Sequence, residues 1–124
     1  MAKKNIKRGL FITFEGFEGS GKTTQIKLLA AFLKKNKFRI LLLREPGSTK
    51  ISEKIRKVLL DKRNNLLCGE SELLLYLAAR AQLVKERIIP ALNKGRIVLC
   101  DRFHDATLAY QGFGLGLDRK LIDG

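Results

Sequence analysis

Three short apolar runs, Leu10–Glu15, Arg39–Leu43 and Ile97–Cys100, alternate with segments whose apolar residues recur at helical spacing. Each run has strand length. After the first, Ile26, Leu29, Ala30 and Leu33 form one apolar stripe on a helix over Thr23–Lys35. Pro46 and Gly47 break the chain after the second run. Ile51, Ile55, Val58 and Leu59 then mark another helix, which Ser48 or Thr49 can cap. Asn64–Gly69 reads as a loop. A long helix from Ser71 carries Leu73, Leu77, Val84 and Ile88 along one side, with Pro90 expected to end or kink it and Gly95 to close the segment. A final helix is expected from His104 to about Gln111, before a loop opened by Gly112, Gly114 and Gly116. Strand, helix, strand, helix, helix, strand, helix predicts an α/β fold, a parallel sheet with helices on both faces. The second and third runs are nearly all apolar, as strands covered on both faces should be. The 124 residues read as a single domain, 1–124, that opens with a basic arm at 1–8 carrying Lys3, Lys4, Lys7 and Arg8.

Composition narrows the partners. Hydrophobic residues at 45% and charged residues at 30% exclude a disordered chain, and no apolar run approaches a membrane span. The basic arm lacks the apolar core of a secretory signal. With 25 Lys and Arg against 12 Asp and Glu, the net charge of +13 suits a chain that meets anions. Cys68 and Cys100 have no C-x-x-C spacing, and Cys100 lies within an apolar run, so a reducing, cytoplasmic setting is expected.

A parallel sheet of this kind binds ligands at the carboxyl ends of its strands. After the first strand stands Gly16-Phe17-Glu18-Gly19-Ser20-Gly21-Lys22-Thr23, a G-x-x-x-x-G-K-T loop. Its glycines let backbone N–H groups turn toward phosphate oxygens, and the helix that follows aims its positive end at the same place. Lys22 can reach the β- and γ-phosphates, and the Thr23 hydroxyl can ligate Mg²⁺. A glycine-rich turn that only joins strand to helix is the plainer reading, which the strand-to-helix setting disfavours.

At the end of the third strand come Asp101 and Arg102. An apolar strand delivering an Asp is the Walker-B arrangement, where a carboxylate orders Mg²⁺, and Arg102 offers a planar fork for a phosphate. The plainer alternative is an ion pair between these two neighbours. Beyond the second strand lie Arg44-Glu45-Pro46-Gly47, then Glu53 and Arg56. Tyr76 and Arg80, four apart, share a helix face where an aromatic plane and a guanidinium can meet a base. The alternative puts Tyr76 in the core and pairs Arg80 with Glu72 or another nearby carboxylate. His104, the only histidine, reads as a surface or cap residue rather than a ligand.

Taken in order, these motifs resemble the thymidylate (dTMP) kinases of the bacterial type. The likeness runs from about Leu10 to Asp118. It rests on Phe14-Glu15-Gly16 leading into Gly19-Ser20-Gly21-Lys22-Thr23-Thr24, then Arg44-Glu45-Pro46-Gly47, the Glu72-to-Arg80 helix, Asp101-Arg102-Phe103 and Ala109-Tyr110-Gln111-Gly112. The resemblance implies phosphoryl transfer from ATP to dTMP with Mg²⁺, giving dTDP and ADP. It implies ATP contacts along Gly16–Thr24, with Lys22 and Arg102 at the reacting phosphates. Thr23 and Asp101 would serve the metal, and Glu18 would lie near the dTMP sugar. Tyr76 would stack on thymine, Arg80 would bond the base edge, and Thr107, Gln111, Arg56 and Glu45 would line the same pocket. A homodimer is implied for the full-length protein.

The chain departs from the family in three ways. Gly47-Ser48-Thr49 replaces the usual Gly-Gly-Thr, and Ala106 stands where a Ser is usual, which removes one hydroxyl near the base. Family chains also continue well past the Gln-Gly loop. The expectation is therefore an amino-terminal portion, with little activity of its own, whose transition-state arginine lies in a lid beyond it. The competing readings are a kinase for another nucleoside monophosphate, a basic nucleic-acid-binding module, and a non-catalytic truncation product. The scattered basic residues and few aromatics speak against nucleic acid. The kinase reading requires the Lys22 and Arg102 side chains to converge on one side of the sheet.

Overall fold

A computed structural model describes residues 8–16 and 21–103. The elements are β1 (Leu10–Gly16), α1 (Lys22–Lys35), β2 (Ile40–Glu45), α2 (Lys50–Leu60), α3 (Gly69–Leu83), a π-helical turn (Val84–Ile88), α4 (Ile89–Asn93) and β3 (Ile97–Phe103). The strands form one parallel sheet in the order β1-β3-β2. The expected helix at 104–111 and the glycine loop after it lie outside the described residues, as does most of the basic arm.

The middle position of β3 explains its composition. Val98, Leu99 and Cys100 have no exposed surface, because helices cover both faces and a strand lies on each side. On one face Ile97 and Leu99 pack with Ala30 and Leu33 of α1. On the other, Val98 and Cys100 pack with Leu43 of β2, Leu83 of α3, Ile88 and Ala91. The full covering expected for β2 is not found among the described residues. β2 is an edge strand there, and Leu42 is 48% exposed.

All three strands run beyond their apolar stretches. β2 continues through Arg44 and Glu45, and β3 through Asp101, Arg102 and Phe103. Apolar patterning ends at the first charge, but the ladder does not. Parallel pairing carries on to the rim, where one row aligns Phe14, Asp101 and Arg44 and the next aligns Glu15, Arg102 and Glu45.

The helices differ from expectation in detail. Ile51 and Val58, both expected on the buried stripe of α2, are about half exposed, and the buried residue of this helix is Ser52. Thr49 caps α2: its hydroxyl oxygen accepts from the Ser52 N–H at 2.9 Å and its O–H donates to Ser52 Oγ at 2.7 Å. Ser52 in turn donates to the Ala79 carbonyl of α3 at 2.8 Å. A small hydroxyl residue lets the two helices approach closely, which rotates the apolar stripe away from the contact. Ser52→Ala should lower the stability of the intact protein by about 1–3 kcal/mol in a denaturant titration, because it breaks this buried relay. An unchanged midpoint would refute that account.

Pro90 does not end the third helix. The backbone widens into π geometry over Val84–Ile88 and resumes α geometry with Pro90 in the first turn of α4. Proline lacks an N–H and its ring clashes with the carbonyl four residues back; a wider turn just before it relieves both problems without breaking the rod.

Candidate functional site

The carboxyl ends of the three strands carry the charged residues, and the alternation of side chains along a strand sorts them onto two faces. Asp101 and Arg102 are consecutive in β3, so their side chains point to opposite faces.

On the α1 face, Gly21 adopts a left-handed conformation (φ 82°) that turns the chain into α1, and among the described residues no side chain caps that end. The first turn of α1 holds no acidic residue, so its N-terminal partial positive charge is uncompensated within the helix. Lys22 opens the helix and is 8% exposed. Its ammonium donates to the Gly16 carbonyl at 3.1 Å and to the Arg102 carbonyl at 3.0 Å. It also lies 2.7 Å from Asp101 Oδ1. That last contact is an ion pair by distance but lacks hydrogen-bond alignment, and this buried oxygen accepts no hydrogen bond among the described residues. Thr23 and Thr24 follow, both exposed in the first turn.

A carboxylate at the end of a strand, beside the start of α1 and paired only with the Lys22 ammonium among the described residues, has the chemistry of a hard-cation ligand. Among the described residues no three His, Cys, Asp or Glu side chains assemble into a metal cluster. Asp101 with the Thr23 hydroxyl fits Mg²⁺ in the way such ions are held beside nucleotides, by one or two protein oxygens with phosphates and water completing the shell.

On the opposite face, Glu45 is the organising residue. It is 1% exposed. Its Oε1 accepts from Arg80 Nε at 3.1 Å and its Oε2 from Arg102 Nε at 2.6 Å. Arg102 Nη1 also donates to Glu15 Oε1 at 3.1 Å, and its guanidinium lies 5.7 Å from the centre of the Phe11 ring. Burial works against the charge on Arg102, but the Glu45 carboxylate and the bonds to Glu45 and Glu15 outweigh it and hold its pKa above the usual guanidinium range. Arg80 Nη2 donates to the Tyr76 hydroxyl at 3.1 Å, with the guanidinium 5.0 Å from the ring centre. Tyr76 is 4% exposed, and burial, more than any neighbouring charge, pushes its hydroxyl up to about 12. Thus Arg102 does not pair with Asp101, and Arg80 bonds a carboxylate 35 residues away rather than Glu72.

The cis Glu45–Pro46 peptide turns the chain out of β2 beside this cluster. Arg56 donates to the Pro46 carbonyl at 2.8 Å, and Arg87 to the Ser48 carbonyl at 3.0 Å. Glu53 accepts from Arg44 and from the Ser48 N–H; these bonds hold its carboxyl below the usual range. Gly47 belongs here because its φ of 140° strains any residue with a Cβ, which would also press on the Glu53 carboxylate. Sequence reasoning missed Glu15, Ser48, Ser52 and Arg87. Only Ser52 left a local signal, its spacing of three from Thr49.

The expectation that the Lys22 and Arg102 side chains share one side of the sheet is not met; what the two residues share is the carboxyl end of β3, so a reaction between two nucleotides there has to take place over that rim rather than on one face. Lys22 lies on the Asp101 side, Arg102 on the Glu45 side, and they meet only at the rim, where the ammonium bonds the Arg102 main-chain carbonyl. The end of β3 separates two charged clusters, Lys22 with Asp101 on one face and Arg80 and Arg102 with Glu45 and Glu15 on the other. Of the other residues expected in the site, Phe17, Glu18, Gly19, Ser20, Thr107 and Gln111 lie outside the described residues.

Cys100, next to Asp101, is fully buried, and burial, followed by the Glu45 charge, pushes its thiol up to about 12. Cys68 is exposed and both cysteines are free. Iodoacetamide at pH 8 should therefore alkylate Cys68 but spare Cys100 until the protein is unfolded, because only a thiolate attacks. Peptide mapping that found native Cys100 labelled as fast as Cys68 would contradict this.

No helix among the described residues is long and apolar enough to cross a membrane. Comparison with known proteins adds the following. The thymidylate kinase family model matches residues 14–123. The chain is 60% identical over 115 residues to a thymidylate kinase of Pelobacter propionicus, covering 93% of this chain and 52% of that protein. It is 61% identical over 114 residues to one of Geotalea daltonii, covering 92% and 53%. It thus spans about half the length of these curated relatives. A crystal structure of thymidylate kinase from Ehrlichia chaffeensis superposes with a TM-score of 0.75 at 46% identity, covering 94% of this chain and 65% of that one. With the match extending over most of its length, the chain belongs to the thymidylate kinase family.

Proposed function

We infer that the protein to which this chain belongs transfers the γ-phosphoryl group of ATP to dTMP, giving ADP and dTDP. The observation that carries this is the division of the sheet rim by the end of β3, with Lys22 on one side and the Arg80–Glu45–Arg102 cluster on the other. Two polyanions can approach from either face and meet phosphate to phosphate over the rim.

On the α1 side, the open helix end and Lys22 bind the ATP phosphates. The lysine is held in place beforehand by the Gly16 and Arg102 carbonyls, so little ordering remains to be done when the phosphates arrive. On the other side, Arg102 receives the dTMP phosphate, and Arg80, whose guanidinium is braced against the buried Tyr76, receives the base. The dTMP phosphate oxygen is itself the nucleophile and is already anionic at neutral pH, so no strong base is needed. The residues act by positioning and by offsetting charge repulsion. Thr23 and Asp101 would hold Mg²⁺, which when bound neutralises charge on the ATP phosphates.

The test is a coupled ADP-release assay on the intact protein with dTMP, dUMP, dCMP and dGMP. Turnover that depends on dTMP and exceeds that with the other three is expected. Equal or greater turnover with another nucleotide would replace dTMP as the substrate.

A further inference from the structure

Glu45 is among the residues that resemblance places along the substrate pocket, yet its carboxylate has no room for a substrate. It is 1% exposed, and each of its oxygens already receives an arginine. The two arginines come from different elements, Arg80 from α3 and Arg102 from β3. Glu45 itself ends β2, in the same sheet row as Arg102.

Both arginines bind Glu45 through Nε rather than through the paired terminal nitrogens. A guanidinium carries five N–H groups in a fixed plane. A bond at Nε fixes the direction of that plane and leaves its terminal edge aimed elsewhere. For Arg102 the terminal contact is to Glu15, whose side chain is 56% exposed and so is an exchangeable partner beside the enclosed Glu45.

We propose that Glu45 is a positioning residue: its one carboxylate holds Arg80 and Arg102 by their Nε–H groups, setting the distance and angle between a base-binding and a phosphate-binding guanidinium without itself touching the nucleotide. This rests on the dTMP reading above. Flexible arginines lose rotamer freedom when they bind a ligand, and a shared buried anchor removes that loss for both in advance. It also keeps two neighbouring cations from repelling each other in the absence of ligand. The ligand class selected is a nucleoside monophosphate, with base and phosphate held at a set separation.

The test is Glu45→Gln in the intact protein. An amide keeps the shape but accepts on one side only, so one arginine is released. The KM for dTMP should rise about tenfold or more while that for ATP changes by less than about twofold. In an Arg102→Ala background, the same substitution should raise KM at least about fivefold less than it does in the wild type, because only Arg80 is then left to hold and one amide oxygen suffices for it. Effects that multiply independently would overturn the proposal in favour of direct contact. Should the Gln variant fail to fold, Glu45→Asp keeps the charge but is one methylene too short to span both guanidinia, and the same KM split is expected.

A measurement independent of turnover is the arginine Nε–H spectrum of the ligand-free protein. Slowly exchanging Arg80 and Arg102 Nε–H signals are expected in the wild type. Fast exchange of both would sink the anchor itself. A protein that shows the slow signals but no dTMP-dependent turnover would retain the anchor and lose the proposed substrate.

Discussion

Lys22→Ala should lower kcat for phosphoryl transfer by on the order of a thousandfold, while leaving the KM for dTMP within about threefold of the wild type. The asymmetry follows from the two faces of the rim. Lys22 stands on the Asp101 side, so its loss leaves the Glu45–Arg80–Arg102 cluster intact. What is lost is a cation held between two main-chain carbonyls, the one that the proposed reaction uses to offset charge on the transferred group. Asp101 loses its ion-pair partner in the variant, but its side chain is about one-third exposed and can be hydrated. Stability should accordingly fall only modestly. Steady-state kinetics with both substrates varied, together with a thermal melt, decide the matter. A variant that keeps a tenth or more of the wild-type kcat would remove Lys22 from the reaction.

The largest effect on stability is expected from a residue far from the chemistry. Gly9→Ala should destabilise the intact protein by on the order of 3 kcal/mol, lowering the melting temperature by roughly 10 °C. Gly9 leads into β1, and its N–H donates to the Leu92 carbonyl at 3.1 Å while that of Leu10 donates to the Arg96 carbonyl at 3.2 Å. A Cβ on Gly9 would stand 2.5 Å from Leu92 Cα and 2.7 Å from the Leu92 and Arg96 carbonyl oxygens. All three atoms are main chain, so no rotamer change relieves the clash. Either β1 or the turn between α4 and β3 must move, and both help to place Gly16 and Asp101. Gly21→Ala provides the contrast. Among the described residues nothing lies within 4 Å of a Cβ there, and the cost expected is that of a left-handed backbone, about 1 kcal/mol. A Gly9 variant melting within about 2 °C of the wild type would show that the turn yields more easily than its geometry indicates.

Local patterning was a good guide wherever the cause was local. The α1 stripe of Ile26, Leu29, Ala30 and Leu33 lies toward the sheet because the covering of one helix face is repeated every few residues. The apolar run of β3 is central for the same kind of reason. Patterning failed where a polar group was recruited into packing. Ser52 displaced Ile51 and Val58 from the α2 contact because its hydroxyl found the Ala79 carbonyl on another helix. Charges marked the ends of apolar runs but not of strands, since Arg44, Glu45, Asp101 and Arg102 are matched across the ladder.

The chain's own order of residues determined the types of β1, α1, β2, α2, α3 and β3, the phosphate-loop motif between strand and helix, and the delivery of Asp101 and Arg102 by an apolar strand. All of these depend on neighbours within a few positions. Only the tertiary structure decided that β3 inserts between β1 and β2. That choice brings Glu15 and Glu45 to Arg102 across sequence separations of 87 and 57 residues. Packing of α1 on that sheet also brings the Lys22 ammonium to the Arg102 carbonyl across 80 residues. Strand order and register are set by which faces bury together, a property of the whole packed sheet. No local spacing of these residues carries that information.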